Sequence, residues 1–149
     1  METRTAVMGV VLALLLCAGG CAGPSGQGAL EVTCDEFMEL DPGEQAIERE
    51  LEVPAGESFT VTLCSNPSTG FEWEEAVISD SSVLRETGRE FQAPGAGGSE
   101  APPPGAAGKE VWTFEAVKQG TSTVSMAYSR PWEGGEKGVW TFSLTVVVE

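Results

Sequence analysis

Few residue types in this sequence could carry out catalysis, because its 149 residues include no histidine. That absence removes the usual general base and the commonest metal ligand. The 23 acidic residues are scattered, without calcium-loop, nucleophile-elbow or phosphate-loop spacing. The sequence therefore predicts a protein that is not an enzyme and uses neither a cofactor nor a metal. A two-carboxylate glycosidase site and a calcium-dependent structural domain stay open as alternatives.

The N-terminal stretch METRTAVMGVVLALLLCAGGC is typical of an export signal. Arg4 precedes an apolar run from Ala6 to Leu16 that is too short to span a membrane. The residues 18–21, Ala-Gly-Gly-Cys, resemble the lipobox of bacterial lipoproteins, with Ala18 where leucine is more usual. We predict that residues 1–20 are removed, that Cys21 is lipidated and that the protein is anchored in the bacterial cell envelope. Ordinary signal cleavage nearby, with Cys21 left as a thiol, is the alternative.

The remaining cysteines are Cys34 and Cys64, since Cys17 leaves with the signal. An isolated pair in an exported protein indicates a disulfide. Closing a loop of about thirty residues would stabilise the fold by roughly 3–4 kcal/mol. Two buried free thiols are the alternative.

The net charge of −15 limits the kinds of molecule that the protein can bind. Loss of residues 1–20 removes one acid, Glu2, and one base, Arg4, so the mature charge is unchanged. Such a surface repels nucleic acid and anionic lipid, so we expect membrane contact through the lipid anchor only. Residues 21–30 are predicted to be a flexible tether, and residues 31–149 a single domain, which we expect to be monomeric.

Apolar residues alternate with polar ones in several stretches, as in half-buried strands. Turn signals rich in Gly and Pro separate these stretches, which favours an all-β sandwich or barrel. Residues 93–104 are too rich in Pro and Gly for a strand and are predicted to be a flexible loop insertion. CDEFMEL, residues 34–40, could form one or two helical turns. The predicted strands are SFTVTL (58–63), EVWTFEA (110–116), STVSMAY (122–128) and VWTFSLTVVV (139–148).

Three stretches between these strands have the composition of binding loops. In SNPSTGFEW (65–73), Pro67 and Gly70 favour a stiff turn that presents Ser68 and Thr69. GAAGKEVWTF (105–114) opens with small residues whose backbone could approach a partner closely. AYSRPWEGGEKGVW (127–140) places Trp132 beside a proline and an arginine, a composition typical of interface hot spots. Taken singly, the first stretch could be a plain hairpin turn, the second a linker, and Trp132 a side chain folded back on the core.

Together, in this order on a small β domain, the three stretches resemble the chagasin family of cysteine-protease inhibitors, from about Leu51 to Val148. The resemblance implies an immunoglobulin-like β-sandwich whose three loops gather at one end as a wedge. It also implies reversible, tight inhibition of papain-like cysteine proteases, such as cathepsin L-like enzymes, by occlusion of the active-site cleft. The protease-binding residues it implies are Asn66, Pro67, Ser68, Thr69, Gly70 and Phe71, then Gly105, Ala106, Ala107 and Gly108, then Arg130, Pro131 and Trp132.

The sequence departs from the family pattern in three places. Ser68 stands where threonine is common, Ala107 adds a methyl group to the glycine-rich loop, and residues 102–104 are prolines instead of bulkier apolar residues. A second glycine-rich stretch, residues 95–98, competes with residues 105–108, although strand spacing favours the latter. The segment around Cys34 lies outside the resemblance, and we predict that it forms a strand or cap clipped to Cys64. A surface immunoglobulin-like module that binds another protein or a glycan is the alternative function.

Overall fold

The computed structural model describes residues 28–41, 44–95, 98 and 100–149. The predicted signal peptide, Cys21 and most of the predicted tether lie outside this range. The described chain forms two sheets that enclose one apolar core, which confirms the all-β sandwich. None of its helices is long and apolar enough to cross a membrane.

The described strands are β1 (Ala29–Val32), β2 (Ala46–Val53), β3 (Ser58–Ser65), β4 (Glu72–Trp73), β5 (Val77–Ile78), β6 (Leu84–Gln92), β7 (Gly108–Ala116), β8 (Gly120–Ser129) and β9 (Trp140–Val148). The first sheet has the strand order β1-β3-β7-β6, and the second has β2-β9-β8-β4 with β5 also paired to β8. Neighbouring strands are antiparallel except in the parallel pairs β1–β3 and β2–β9. A helix, α1 (Cys34–Met38), and a 3₁₀ turn (Pro67–Thr69) complete the fold.

The four strands predicted from alternation are all present, and their apolar positions form the core. In β3, Phe59, Val61 and Leu63 are fully buried between half-buried threonines. In β9, burial alternates in the same way from Phe142 to Val148. Because alternate side chains of a strand face the same side, this pattern turns one face of each sheet inward. The core is therefore continuous between the sheets.

The N-terminal segment is a strand followed by a cap, as predicted, but the strand begins earlier. Thr60 N donates to Gly28 O, and Ala29 already pairs with Thr60. The predicted flexible tether over residues 21–30 is therefore too long at its C-terminal end. The physical reason is that Leu30 packs against the core, which draws the chain into the sheet.

Helix α1 closes the end of the sandwich. A capping box begins it, because the Thr33 hydroxyl accepts from Glu36 N and the Glu36 carboxylate accepts from Thr33 N. The Thr33 backbone N–H, then the Thr33 hydroxyl and Arg49, hold the pKa of Glu36 below its ordinary value despite some desolvation. Phe37 is buried and stacks on Trp140 at 4.9 Å. The predicted disulfide joins Cys34 to Cys64 and fixes this helix to the end of β3.

Candidate functional site

Three loops meet at one end of the sandwich. We call residues 66–71 the first loop, 105–107 the second and 130–139 the third. The first loop leaves β3 where Ser65 pairs with Gly108, the residue after the second loop. It enters β4 where Glu72 pairs with Ser129, the residue before the third loop. The first loop thus crosses from one sheet to the other with the other two on either side. This confirms the predicted gathering of the loops at one end.

The first loop is a 3₁₀ turn that is stabilised by hydrogen bonds from two of its own hydroxyl groups. Thr69 Oγ1 donates to Asn66 O at 2.7 Å, and Ser68 Oγ donates to Asn66 Oδ1. Gly70 ends the turn at φ +80°, a conformation that favours glycine. Both hydroxyl protons are therefore engaged inside the loop. Towards solvent, Ser68 and Thr69 offer oxygen lone pairs as hydrogen-bond acceptors.

Asn66 connects the first loop to the second loop and to the core. Its Nδ2 donates to Gly105 O at 2.9 Å, and its backbone N donates to the Tyr128 hydroxyl at 2.8 Å. The bond to Gly105 spans 39 positions of sequence. It places Gly105, in the later of the two glycine-rich stretches, beside the first loop. Residues 96 and 97 lie outside the described part.

The second loop is short and rests on the end of β6. Gly105 has φ +80°, and Ala107 packs against the core. Gly108 lies under the Phe91 ring, since a Cβ at 108 would be 2.7 Å from Phe91 Cζ. The methyl group of Ala107, which the family pattern lacks, therefore packs against the apolar core.

Arg130 holds the third loop against the first. Its guanidinium lies over the Phe71 ring, 4.4 Å from the centroid, and its Nη2 donates to Thr69 O at 3.4 Å. Glu136 accepts from Arg130 Nη1 at 2.9 Å, which closes the third loop on itself. Lys137 Nζ donates to Arg130 O. The Arg130 side chain is thus held in place by contacts with the first loop and with Glu136.

Trp132 is the most prominent apolar group of the third loop. It is 51% exposed, and its indole lies against Gly70 of the first loop. Its exposure rules out the alternative that Trp132 is a core aromatic. Of the first stretch, Trp73 is buried, whereas Phe71 is only half-buried beneath Arg130.

A partly buried ion pair, Arg89 with Glu110, lies beneath the loops. Arg89 Nε donates to Glu110 Oε1 at 2.5 Å, and Arg89 Nη2 donates to Trp73 O. Glu110 also accepts from Ser65 Oγ, next to the first loop. Because Arg89 belongs to the first sheet and Trp73 to the second, this network joins the two sheets close to the loops. Sequence analysis missed it, since the pairing of β6 with β7 that brings the residues together has no local signal.

The arrangement is suited to binding. In residues 28–41, 44–95, 98 and 100–149, no group of three or more His, Cys, Asp or Glu is placed to hold a metal ion. The three loops are instead linked to one another by side-chain hydrogen bonds and aromatic contacts. A rigid surface of this kind loses little conformational entropy when a partner docks.

Comparison with known proteins agrees with this geometry. Residues 52–146, more than half of the chain, match the family model for "Chagasin family peptidase inhibitor I42". Amoebiasin-2 of Entamoeba histolytica is 28% identical over 103 residues, which is 66% of this chain and 76% of that protein.

Two solved structures share the fold. The cysteine protease inhibitor EhICP2 of Entamoeba histolytica has 21% identity and a TM-score of 0.58, with 82% of this chain and 96% of that chain covered. PbICP-C, solved in complex with falcipain-2, has 14% identity and a TM-score of 0.56, with 82% and 99% covered. The chain belongs to the chagasin family of peptidase inhibitors, and it is not an enzyme.

Proposed function

We propose that this protein inhibits papain-like cysteine proteases by inserting its three-loop end into the active-site cleft. The observation that carries the proposal is that the loops are joined to one another, by Asn66 to Gly105 and by Arg130 to Thr69. A cleft-filling surface must keep its shape on docking, and these bonds fix its shape in advance. The complex of PbICP-C with falcipain-2 supports the choice of partner, since that protein has the same fold.

Each loop has a separate part in this proposal. The first loop covers the catalytic Cys and His, the second flanks the non-primed side of the cleft, and Trp132 packs on aromatic surface of the primed side. Ser68 and Thr69 would then meet the catalytic histidine. Papain-like enzymes hold a thiolate beside a protonated imidazole, which is a hydrogen-bond donor. The lone pairs of the two hydroxyl groups match that donor.

Titration of papain with residues 22–149 tests the proposal. We expect stoichiometric, reversible loss of activity with an inhibition constant in the nanomolar range. Trypsin is the matched control, because its neutral catalytic histidine offers no proton in the same place. No inhibition of papain at micromolar concentrations would favour the alternative, a surface immunoglobulin-like module that binds another protein or a glycan.

We further propose that the protein is exported and lipid-anchored through Cys21, and acts as a monomer. The sequence of residues 1–21 supports anchoring, and the disulfide between Cys34 and Cys64 supports an oxidising compartment. Labelling of bacteria with an alkyne-modified fatty acid tests this. We expect the full-length chain to take up the label and Cys21→Ser to lose it. Equal labelling of both would contradict the proposal.

A further inference from the structure

We propose that helix α1 and the groove between it and the three loops form a fourth contact with the protease. The inference rests on the proposed function and extends the surface through which that function is carried out. The occupant we assign to the groove is an apolar side chain from the rim of the enzyme's active-site cleft.

The groove lies between α1 and all three loops. Its volume is about 490 Å³. Tyr128, Trp140 and the Cys34–Cys64 disulfide contribute aromatic and sulfur surface. The loops contribute Asn66, Thr69, Phe71, Gly105, Ala107, Glu136 and Val139, and α1 contributes Met38. When the loops bind in the active-site cleft of an enzyme, the rim of that cleft is therefore placed next to the groove.

Met38 is exposed although it is apolar. Its neighbour Phe37 is buried at 2% exposure, whereas Met38 is 66% exposed. Successive helical residues point about 100° apart, so burial of Phe37 turns Met38 towards solvent. A flexible thioether adapts to partner surfaces of irregular shape, and methionine is enriched in protein interfaces.

Helix α1 is held firmly enough to serve as a contact. The capping box between Thr33 and Glu36 fixes its beginning, and Arg49 binds Glu36 Oε1 at 2.8 Å. The disulfide fixes Cys34 to β3, two residues before Asn66. Met38 is thus fixed relative to the first loop, and its contact with a partner would cost little ordering entropy.

Exposed apolar side chains are concentrated at this end of the molecule. In the described part of the chain, five large apolar side chains are exposed: Met38, Val77, Phe91, Val117 and Trp132. Met38 borders the groove, Phe91 covers Gly108 beside the second loop, and Trp132 covers Gly70. Apolar groups gathered on a monomer surface mark an interaction site. Their position extends the proposed loop interface on two sides.

Helix α1, which carries Met38, lies outside the part of the chain that the family model matches. The family model begins at residue 52, and α1 precedes that position. The fourth contact would therefore discriminate among papain-like proteases by the shape of their cleft rims. The three loops, in contrast, would contact the catalytic residues and the cleft, which these enzymes have in common.

Met38→Glu tests the proposal, with Val77→Glu as the matched control. Both side chains are 66% exposed, and both changes replace an apolar group by one negative charge. Val77 lies in β5, outside the groove. We expect Met38→Glu to raise the inhibition constant for papain or for a cathepsin L-like enzyme at least fivefold. Val77→Glu should change it less than twofold, and both variants should keep the melting temperature of the wild type.

The outcomes separate this inference from the proposed function. A wild type that inhibits neither enzyme overturns both. A wild type that inhibits, with Met38→Glu unchanged or Val77→Glu equally weakened, overturns only the fourth contact. Sedimentation of wild type and Met38→Glu completes the test. A wild-type dimer that Met38→Glu converts to a monomer would assign the groove to a second copy of the chain and reject the protease as its occupant.

Discussion

The indole of Trp132 lies across Gly70, so closely that a Cβ at position 70 would be 2.6 Å from Trp132 Cη2. This contact joins the third loop to the first at the point where the first loop turns into β4. Gly70 is therefore required twice, once for its backbone conformation at φ +80° and once for the space above it.

Gly70→Ala should weaken inhibition of papain at least tenfold. The left-handed conformation costs a non-glycine residue roughly 1–2 kcal/mol, and the new methyl group must also displace the indole. Inhibition kinetics and thermal melting measure the two effects. Gly56→Ala is the control, because Gly56 also has a positive φ, of 89°, has nothing within 4 Å of the added Cβ and lies between β2 and β3, outside the three loops. Equal losses in the two variants would show that the contact with Trp132 is irrelevant.

Trp132→Ala should raise the inhibition constant at least tenfold. Truncation of an aromatic anchor typically costs about 2 kcal/mol or more of binding free energy. Because the side chain is half exposed, we expect the loss of folding stability to be smaller than for a fully buried tryptophan. Val117→Ala, at an exposed position outside the loops, is the control. An inhibition constant equal to that of the wild type would reject the anchor role.

Asn66→Asp should weaken inhibition although the side chain keeps its size. A carboxylate cannot donate to Gly105 O, so the bond between the first and second loops is replaced by repulsion of two oxygens. We expect a five- to fiftyfold rise in the inhibition constant, consistent with about 1–2 kcal/mol for a lost hydrogen bond with an unpaired partner. Gln119→Glu makes the same chemical change at an exposed site and should have no effect. Inhibition that survives Asn66→Asp would mean that the loops need no such link.

Removal of the disulfide by Cys34→Ser with Cys64→Ser should lower both stability and inhibition. The bridge closes a separation of 30 residues, which on the chain-entropy model stabilises the fold by roughly 3–4 kcal/mol. Denaturant unfolding measures this loss. Because Cys64 immediately precedes Ser65 and the first loop, we also expect inhibition to weaken several-fold. Unchanged unfolding and inhibition in the double variant would contradict both expectations.

The capping box should make a small contribution to stability that depends on pH. The pKa of Glu36 is lowered in the folded state, chiefly by the Thr33 backbone N–H, so its contribution is present above the ordinary Glu pKa of about 4.3 and is lost as the pH falls. Since Glu36 is partly exposed, we expect Glu36→Gln to lower the melting temperature by about 1–2 °C at pH 7 and by nothing measurable at pH 3. Glu39→Gln, outside the capping box, is the control. A difference that grows on acidification would contradict the assigned sign.

The sequence predicted the central strands well and the edge strands poorly. Strands β3, β7, β8 and β9 lie between neighbours and bury one face, so their apolar residues alternate. Strand β6 is an edge strand in which Leu84 alone is buried, and its charged residues give no period-two signal. The parallel pairing of β1 with β3 could not be predicted either, because the alternation of apolar and polar residues is the same whichever way a strand runs.

The three loops were predicted by resemblance, whereas the bonds between them were not predicted. Asn66 was identified only as a residue that binds the protease, yet its side chain is engaged with Gly105 and Ser68. Arg130 was assigned to the same surface, and it contacts Phe71, Thr69 and Glu136. Partners separated by 39 or 61 positions leave no local pattern in a single sequence. That these residues also contact the enzyme stays a prediction.

The parallel pairing of β1 with β3 decides at which end of the domain an N-terminal anchor would be attached. Both strands run towards the loops, so Gly28 lies near Thr60, about 20 Å of strand behind Asn66. A lipid on Cys21 would therefore be attached to the part of the domain remote from the loops, through a connecting segment at most about 25 Å long. The three loops would then lie at the end of the domain remote from the attachment point, where they are accessible to proteases that arrive from solution. An antiparallel β1 would have put the anchor beside the loops, near the lipid headgroups.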